Sequence, residues 1–390
     1  MNIHVAPAHV ATPAASRLAS IDILRGVVML LMLLDHVRDT FFLQHQVGDP
    51  VNVAEVEPAL FVSRLLAHLC APAFVFLTGI SAWLYGNRHA GGRAATSAFL
   101  LKRGLFLVLL ELTLVNFAWT AQFPPTVVYL QVIWAIGLSM IALSALLWLP
   151  RWALIALGVA IVAGHNLFDG VQAVPGTWGG TAWMILHERG WLELADIRMR
   201  TSYPVLPWIG VIALGYAAGS WYADACDPAR RTRLWRAGCL LLGAFLALRV
   251  LNLYGDAPWQ ATGDLGTTLM SVFNVTKYPP SLLFLLLTLG IGAWLLSLFE
   301  SPRVAATLAP LSTFGAAPMF FYLLHLYVLK LLYLAAVALW GHNHGTVFGI
   351  DSVAGLWGLA VVLALALWIP TRAFARLKAR RRDWTWLRYL

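Results

Sequence analysis

The sequence has few charged residues. Only 12% of its 390 residues are Asp, Glu, Lys or Arg, whereas 60% are hydrophobic. Soluble domains carry about 25% charged residues, so a protein surrounded by water on all sides is excluded. The mean hydropathy of +0.74 and the 18 tryptophans instead indicate a surface that lies largely in lipid.

Cysteine and the motifs of soluble enzymes are also scarce. The three cysteines, Cys70, Cys226 and Cys239, lie far apart and provide neither a disulfide framework nor a metal-ligand spacing. The sequence has no GxSxG, GxGxxG, Walker or HExxH pattern, so hydrolase, nucleotide-binding and zincin functions have no support. We therefore expect no metal cofactor.

Apolar runs long enough to cross a bilayer recur along the whole chain. They are too long and too continuously apolar for barrel strands, and only helices or closed barrels satisfy backbone groups in lipid. We predict an all-α fold, a polytopic transmembrane helical bundle of about ten spans. The predicted spans lie near residues 22–44, 60–85, 97–119, 126–149, 152–169, 205–222, 234–253, 280–299, 313–339 and 352–374.

The distribution of Lys and Arg predicts the orientation. Basic residues concentrate in every second loop, so both termini are predicted to be cytoplasmic. The expected organisation is a cytoplasmic N-terminal tail at 1–18, a transmembrane domain at 19–375 and a basic cytoplasmic C-terminal tail at 376–390. This tail directly follows a span and contains the interfacial residues Trp384 and Trp386. The expected partner is therefore the lipid bilayer, and not a nucleic acid.

An Asp-His pair lies deep within the first predicted span. Asp35 and His36 interrupt its apolar run, and ionisable groups at such a depth cost a few kcal/mol to insert. Such groups usually face a bundle interior or a water-filled cavity, which makes the pair a candidate site. The alternative is that the pair reaches the outer interface by snorkelling. Because the helix rises about 20 Å from Asp22 to Asp35, the pair belongs to the outer half of the bilayer.

Other polar residues of the predicted spans fall in the same half, and we expect them to line one outward-facing cavity with histidines as general bases. The candidate catalytic residues are Asp35, His36, His45, His68 and His325, and the candidate substrate-binding residues are Arg64, Glu111, Asn116, Asn274, Lys277 and Tyr278. Structural roles are the alternatives: Glu111 in a buried salt bridge, and His325 as a core residue held by tyrosines.

Several segments of the chain resemble a known family. They are RLASIDILRGVVMLLMLLDHVRD at 17–39, AHLCAPAFVFLTGISAWLYG at 67–86, QVIWAIGLSMIALSAL at 131–146, YPVLPWIGVIALGYAAG at 203–219, NVTKYPPSLLFLL at 274–286 and FFYLLHLYV at 320–328. They resemble heparan-alpha-glucosaminide N-acetyltransferase and its bacterial relatives. This resemblance implies a membrane bundle that passes an acetyl group from cytoplasmic acetyl-CoA to an amine or hydroxyl of a sugar-type acceptor on the other side.

The resemblance also implies roles for particular residues. The family's key histidine follows the first helix of its catalytic domain, and the nearest position here is His45, with Asp35 where the family has an asparagine. Either His36 or His45 is therefore the candidate base, which Asp35 would orient through a hydrogen bond. Acetyl-CoA is the expected co-substrate, and the cofactor-binding candidates are the basic residues Arg25, Lys102 and Arg103. Lys102 and Arg103 also fit a purely topogenic role.

A transporter is the alternative from a different functional class. Buried Asp, His, Glu and Lys side chains in an outer cavity also suit the proton relay of a proton-coupled permease. The sequence leaves the acceptor and the oligomeric state open, with a homodimer as one possible assembly.

The predicted topology is tested with fusions to alkaline phosphatase, which is active only outside the cytoplasm. A fusion within residues 171–202 is expected to be active and one within residues 225–235 inactive, because the basic loop stays inside. Immunoblots of both fusions control for their expression. The reverse pattern would invert the orientation and the depth assigned to Asp35.

Overall fold

The computed structural model describes residues 18–194, 196–224, 227–381 and 383–388. Of the predicted N-terminal tail, residues 1–17 lie outside the described residues. The protein is mostly helical, with 71% of its residues in helices, so the predicted helical bundle is confirmed at this level. The all-α prediction missed one small sheet of three strands.

The helices follow one another along the chain with few strands between them. The α-helices are α1 (Ala19–Phe41), α2 (Pro58–Ala67), α3 (Cys70–Arg88), α4 (Gly92–Leu110), α5 (Asn116–Thr120), α6 (Val132–Leu146), α7 (Arg151–Gly164), α8 (Trp178–Leu186), α9 (Leu206–Ala218), α10 (Ala229–Leu251), α11 (Leu265–Phe273), α12 (Leu282–Phe299), α13 (Pro302–Thr307), α14 (Ser312–Ala316), α15 (Pro318–Trp340) and α16 (Val353–Arg380). The strands are β1 (Val127–Leu130), β2 (Trp191–Leu194) and β3 (Ile197–Thr201). Short 3-10 turns lie at Leu43–His45, His165–Phe168, Gly219–Tyr222, Ala309–Leu311 and Thr385–Arg388, and a π turn at Glu111–Val115 joins α4 to α5.

Within the described ranges, six helical segments are long and apolar enough to cross a membrane. They are Pro58–Arg88, Arg151–Phe168, Ala229–Leu251, Leu282–Phe299, Pro318–Trp340 and Val353–Arg380. Helices also lie at the other predicted positions, as α1, α4 with α5, α6 and α9. However, α1 is rich in charge, and α6 and α9 are short. The count of ten spans and the cytoplasmic termini therefore stay predictions. The last helix continues to Arg380, past the domain boundary predicted at residue 375.

The first helix, α1, is central to the bundle. It contacts α2, α3, α12, α14, α15 and α16, and many of its side chains are fully buried. Two glycines bring its N-terminal end against α14. A Cβ added to Gly26 would overlap the carbonyl of Leu311, and one added to Gly315 would overlap the carbonyl of Asp22. The two backbones are therefore in direct contact there, which fixes the depth of α1 relative to its neighbours.

The small sheet lies at the C-terminal end of α1. Its order is β1-β3-β2, with β1 parallel to β3 and β2 antiparallel to β3. Val127 pairs with Arg198 and Leu130 with Thr201. The sequence prediction placed a span at 126–149, and its first residues form β1 instead. Because the strands end beside α1, the sheet delivers Tyr129 and Arg200 to the polar cavity described below.

Candidate active site

Two cavities lie at opposite ends of α1. We name them after the predicted orientation: the inner cavity, at the N-terminal end of α1, has a volume of about 470 Å³, and the outer cavity, at its C-terminal end, has about 430 Å³. Met32 lines the inner cavity and Asp35 lines the outer one. Three residues of helix correspond to about 4.5 Å along its axis. The two cavities therefore approach each other within one helical turn.

The outer cavity contains five of the residues predicted from the sequence. They are Asp35, Arg64, His68, Lys277 and Tyr278, which come from α1, α2 and the loop before α12. These five residues are distant in the sequence and lie together in one cavity, as predicted. The side chains of Arg64 and Lys277 are almost completely buried, at 9% and 8% exposure, so their charges must be balanced within the protein.

Asp35 provides much of that balance. Its Oδ1 accepts hydrogen bonds from Nη2 of Arg38 at 2.8 Å and from Nε of Arg38 at 3.1 Å. Nζ of Lys277 lies 3.6 Å from its Oδ2, and Arg38 also donates to Asp39 at 2.7 Å. The carboxylate of Asp35 is thus occupied by cations. Its described hydrogen bonds go to Arg38 and not to the ring of His36 or His45, so an orienting role for Asp35 stays a prediction.

Asp49 is a member of this network that sequence reasoning missed. Its Oδ2 accepts from the main-chain N–H groups of Lys277 at 3.0 Å and Tyr278 at 2.9 Å, and its Oδ1 lies 3.8 Å from Nη2 of Arg64. Burial raises the pKa of the Asp49 carboxyl above its ordinary value, although the Arg64 guanidinium opposes this. Its position in a loop between two spans gave no signal beyond its charge.

Lys277 is held as a cation by its surroundings. Burial alone would lower the pKa of its ammonium group, but Tyr278 and the Asp35 carboxylate outweigh burial and hold the pKa above its ordinary value. The ammonium also lies 5.1 Å from the centre of the Tyr278 ring, at cation–π distance. Lys277 is therefore a fixed positive charge in the outer cavity and not a base.

His36 and His325 form a buried pair behind this network. Nδ1 of His36 lies 2.7 Å from Nε2 of His325, and Nδ1 of His325 lies 2.6 Å from the carbonyl oxygen of Phe321. A carbonyl oxygen only accepts, so Nδ1 of His325 carries a proton and Nε2 of its neutral ring is an acceptor. His36 therefore donates through Nδ1, which leaves the lone pair of its neutral ring on Nε2. That nitrogen is the one able to take up a proton.

Two aromatic side chains enclose the ring of His36. The rings of Trp119 and Tyr322 contact it edge-on, with centroids 5.1 and 5.9 Å away. The indole N–H of Trp119 and the hydroxyl of Tyr322 are close to each other and buried, and neither makes a hydrogen bond of normal geometry. Tyr322 also lines the inner cavity. Two hydrogen-bond donors without a bond of normal geometry thus lie beside His36, and one of them, the Tyr322 hydroxyl, belongs to a residue of the inner cavity.

The two remaining candidate histidines differ in exposure. His68 is buried, lines the outer cavity, and has no hydrogen bond to either ring nitrogen. His45 is exposed in the 3-10 turn after α1, and the centre of its ring lies 4.7 Å from that of Phe42, with the two rings tilted relative to each other. It is not among the described residues that line the outer cavity. His36 and His325 are likewise not among the described lining residues of either cavity. His36 is favoured over His45 as the base because it is buried, pairs with His325 and contacts Tyr322, which lines the inner cavity.

Three predicted substrate-binding residues bond to the main chain instead. Oε2 of Glu111 accepts from the N–H of Trp134 at 3.0 Å, at the start of α6. The amide of Asn116 bonds to the main chain of Val127 and Tyr129, both in β1. The amide of Asn274 bonds to both the N–H and the carbonyl of Val51, at 3.0 and 2.7 Å. These side chains shape the walls of the site, and none of them is among the described residues that line either cavity.

The inner cavity is basic at one end and apolar along its length. Arg25 and Arg103 line it, together with Arg88 and Lys378, which sequence reasoning did not single out. Lys102 is exposed and is not among the described lining residues. Apolar side chains such as Met29, Phe74, Leu107 and Met140 line the space between this basic end and Tyr322. The cavity therefore matches an anionic ligand with a long, weakly polar arm.

Two arginines of the outer cavity were also missed by sequence reasoning. Arg189 and Arg200 line it, and Arg189 lies over the ring of Tyr278 at 4.8 Å. Burial and the neighbouring Arg189 lower the pKa of the Arg200 guanidinium below its ordinary value. From the sequence, Arg189 and Arg200 are predicted to lie in an outer loop, within residues 171–202. Only the pairing of β3 with β1 reveals that Arg200 points to the site.

The helices that are long and apolar enough to cross a membrane indicate an integral membrane protein, with a buried histidine pair and a cavity at each end of α1. The chain belongs to the family described as heparan-alpha-glucosaminide N-acetyltransferase, catalytic, whose model matches residues 17–254. This match confirms the resemblance seen in the sequence. It includes Asp35, His36 and His68, whereas Lys277 and His325 lie beyond it. No curated protein matches the chain.

The structural role of Asn274 is tested by comparing Asn274→Ala with Asn52→Ala. The first change leaves the N–H and carbonyl of Val51 without partners and is expected to cost about 1–3 kcal/mol. Asn52 is exposed and bonds only to the nearby Ala54 N–H, so its loss should cost less than about 0.5 kcal/mol. Unfolding of purified protein in detergent measures both. Equal stability of the two variants would assign Asn274 to the ligand instead.

Proposed function

We propose that this protein is an acetyltransferase of the inner membrane. It moves an acetyl group from acetyl-CoA in the inner cavity to an amine or hydroxyl, in a sugar-type acceptor, in the outer cavity. The observation that carries the proposal is the approach of the two cavities within one turn of α1, beside the His36–His325 pair. Membership of the acetyltransferase family supports the same reaction.

The inner cavity has the features that CoA requires. Arg25, Arg88, Arg103 and Lys378 provide positive charge at one end for its phosphates. The apolar wall suits the pantetheine arm, which carries few charges. Extended CoA is on the order of 20 Å long, similar to the rise of α1 from Asp22 to Asp35. A thioester at the far end of the arm would therefore lie near Tyr322 and His36.

The reaction can be followed atom by atom. Nε2 of His36 takes a proton from the acceptor amine or hydroxyl while that nitrogen or oxygen attacks the thioester carbonyl carbon. The tetrahedral intermediate collapses, the carbon–sulfur bond breaks, and the proton passes to the thiolate to give CoA. His325 accepts the Nδ1–H of His36, and this hydrogen bond stabilises the transient imidazolium. The nearby carboxylate of Asp35 adds a favourable negative charge.

The oxyanion of this intermediate needs donors on the inner side of His36. Trp119 Nε1–H and the Tyr322 hydroxyl have no hydrogen bond of normal geometry and both contact the His36 ring. They are suited to the developing negative charge because both are donors in a water-poor environment. The amides of Asn116 and Asn274, which were predicted from the sequence to bind substrate, already bond to the main chain.

A proton-coupled transporter is the second candidate function. The same two cavities, joined by a histidine pair, would suit alternating access with a proton relay. The two functions differ in the ligand of the inner cavity. Calorimetry of the purified protein with CoA distinguishes them, since an acetyltransferase must bind CoA and absence of binding would favour transport.

The phosphate site is tested with two neighbouring residues of the same charge. Arg103 lines the inner cavity and Lys102 does not. Replacing Arg103 by Ala is expected to weaken CoA binding about tenfold or more, because a charge-assisted hydrogen bond to a phosphate is lost. Lys102→Ala should leave the affinity measured by calorimetry unchanged. Equal effects of the two substitutions would point to general surface charge and would remove the proposed phosphate site.

The base is tested by His36→Gln with His45→Gln as its comparison. His36→Gln is expected to lower the rate of acetyl transfer about 100-fold or more, with CoA affinity unchanged, because the residue acts on the proton and not on the donor. His45 is exposed and should change the rate much less. Acetyl-CoA consumption and calorimetry provide the two readouts. A severe loss in His45→Gln with an active His36→Gln would transfer the role to His45.

A further inference from the structure

A cluster of two histidines and an aspartate lies beside the outer cavity. His165 and Asp169 stand at the end of α7, and His187 follows α8. One ring nitrogen of each histidine and one oxygen of Asp169 lie within 4.8 Å of one another. The adjoining cavity, of about 320 Å³, is lined by Asp169 and His187. Arg189 and Tyr278 line both this cavity and the outer cavity.

The ring of His165 has unused ligand capacity. The residue is only 2% exposed, and neither ring nitrogen makes a hydrogen bond. The carbonyl of Pro280 lies close enough to favour a proton on one of the two nitrogens. The other nitrogen then has a free lone pair in a buried position, where polar atoms normally have a partner. Such an atom beside a second histidine and a carboxylate points to a bound cation.

The other two side chains are held by further hydrogen bonds. Nε2 of His187 lies 2.7 Å from the carbonyl oxygen of His165 and 3.5 Å from Oδ1 of Asp169. Nε2 is the nitrogen of His187 that lies beside Asp169, so ligation through it would replace its bond to the carbonyl with a bond to the metal. Nδ2 of Asn166 donates to Oδ2 of Asp169 at 2.8 Å. This bond orients the carboxylate, whose Oδ1 faces His187 as the candidate ligand atom.

We propose that His165, Asp169 and His187 bind a divalent transition-metal ion of the zinc class. Two imidazoles and one carboxylate form a ligand set that suits zinc, and the adjoining cavity leaves room for water as a fourth ligand. Ligands of a tetrahedral site lie about 3.3 Å apart, so the cluster has to contract on binding. The half-exposed side chain of Asp169 has the freedom to move inward.

The ion would tie together two segments that border the outer cavity. His165 and Asp169 belong to the end of α7, and His187 precedes Arg189 by two residues. Arg189 in turn lies over the ring of Tyr278 in the outer cavity. Binding of the metal would therefore order the wall of that cavity. This role is independent of the proposed acetyl transfer, and its test does not use enzyme activity.

The experiment is a titration of the purified full-length protein, without an affinity tag of histidines, with Co²⁺ and with Zn²⁺. We expect one ion per chain by calorimetry and visible absorption bands of tetrahedral Co²⁺. Trp183 adds a third signal, because its ring lies 4.9 Å from that of His187 and bound Co²⁺ would quench its fluorescence. Failure of the native protein to bind either ion would overturn the proposal.

Asp169→Asn and His187→Gln are expected to weaken binding at least tenfold and to abolish the quenching. Asp169→Asn is the decisive variant, since an isosteric change at a half-exposed side chain does not threaten folding. His344→Gln is the matched control, because His344 pairs with Asp351 at 2.8 Å in a group of only two ligands. Unchanged affinity in Asp169→Asn and His187→Gln, or equal loss in His344→Gln, would contradict the site.

Discussion

The buried carboxylate of Asp35 is the constraint on which the site depends. A charge within a helical bundle has to be compensated, and here Arg38 and Lys277 compensate it. The main chain of Lys277 is held by Asp49, which also approaches Arg64 of α2. One chain of ionic contacts therefore connects α1, its following loop, α2 and the segment before α12. Replacing Asp35 by Ala would leave the buried ammonium group of Lys277 without its carboxylate partner, at a cost of about 3–5 kcal/mol.

The side chains of the adjacent residues Asp35 and His36 face two different environments. Successive residues of an α-helix point about 100° apart and do not face each other. Asp35 therefore faces the cations of the outer cavity, while His36 faces α15, where His325 is its partner. The separation keeps the charged network apart from the neutral histidine pair. The base proposed for acetyl transfer thus retains its lone pair, although cations lie one residue away.

The helices and the outer cavity were accessible to sequence reasoning, because apolar runs and buried charges carry their own signal. The roles of the neutral polar residues were not accessible in this way. Asn116, Asn274 and Glu111 all bond to main-chain groups of segments that are distant or irregular. A polar residue in a predicted span gives the same sequence signal whether its side chain binds a ligand or a main-chain group. Strand β1 was missed for a related reason. Its residues VVYL are as apolar as the first residues of a membrane-spanning helix. Its partner strand β3 follows about 70 residues later in the chain.

The separation between the two cavities also determines how a membrane acetyltransferase would keep the membrane impermeable. Under the proposed function only the acetyl group crosses from one cavity to the other, while CoA and the acceptor stay on their own sides. The barrier between them is about one helical turn thick and contains the rings of His36, His325, Trp119 and Tyr322. His36, His325 and Tyr322 are buried and Trp119 is half-buried, and in the proposed mechanism both histidines are neutral before the reaction. These four side chains supply a lone pair and two hydrogen-bond donors. The barrier and the proposed catalytic groups are therefore the same residues, which explains why the charges of the site lie outside this barrier.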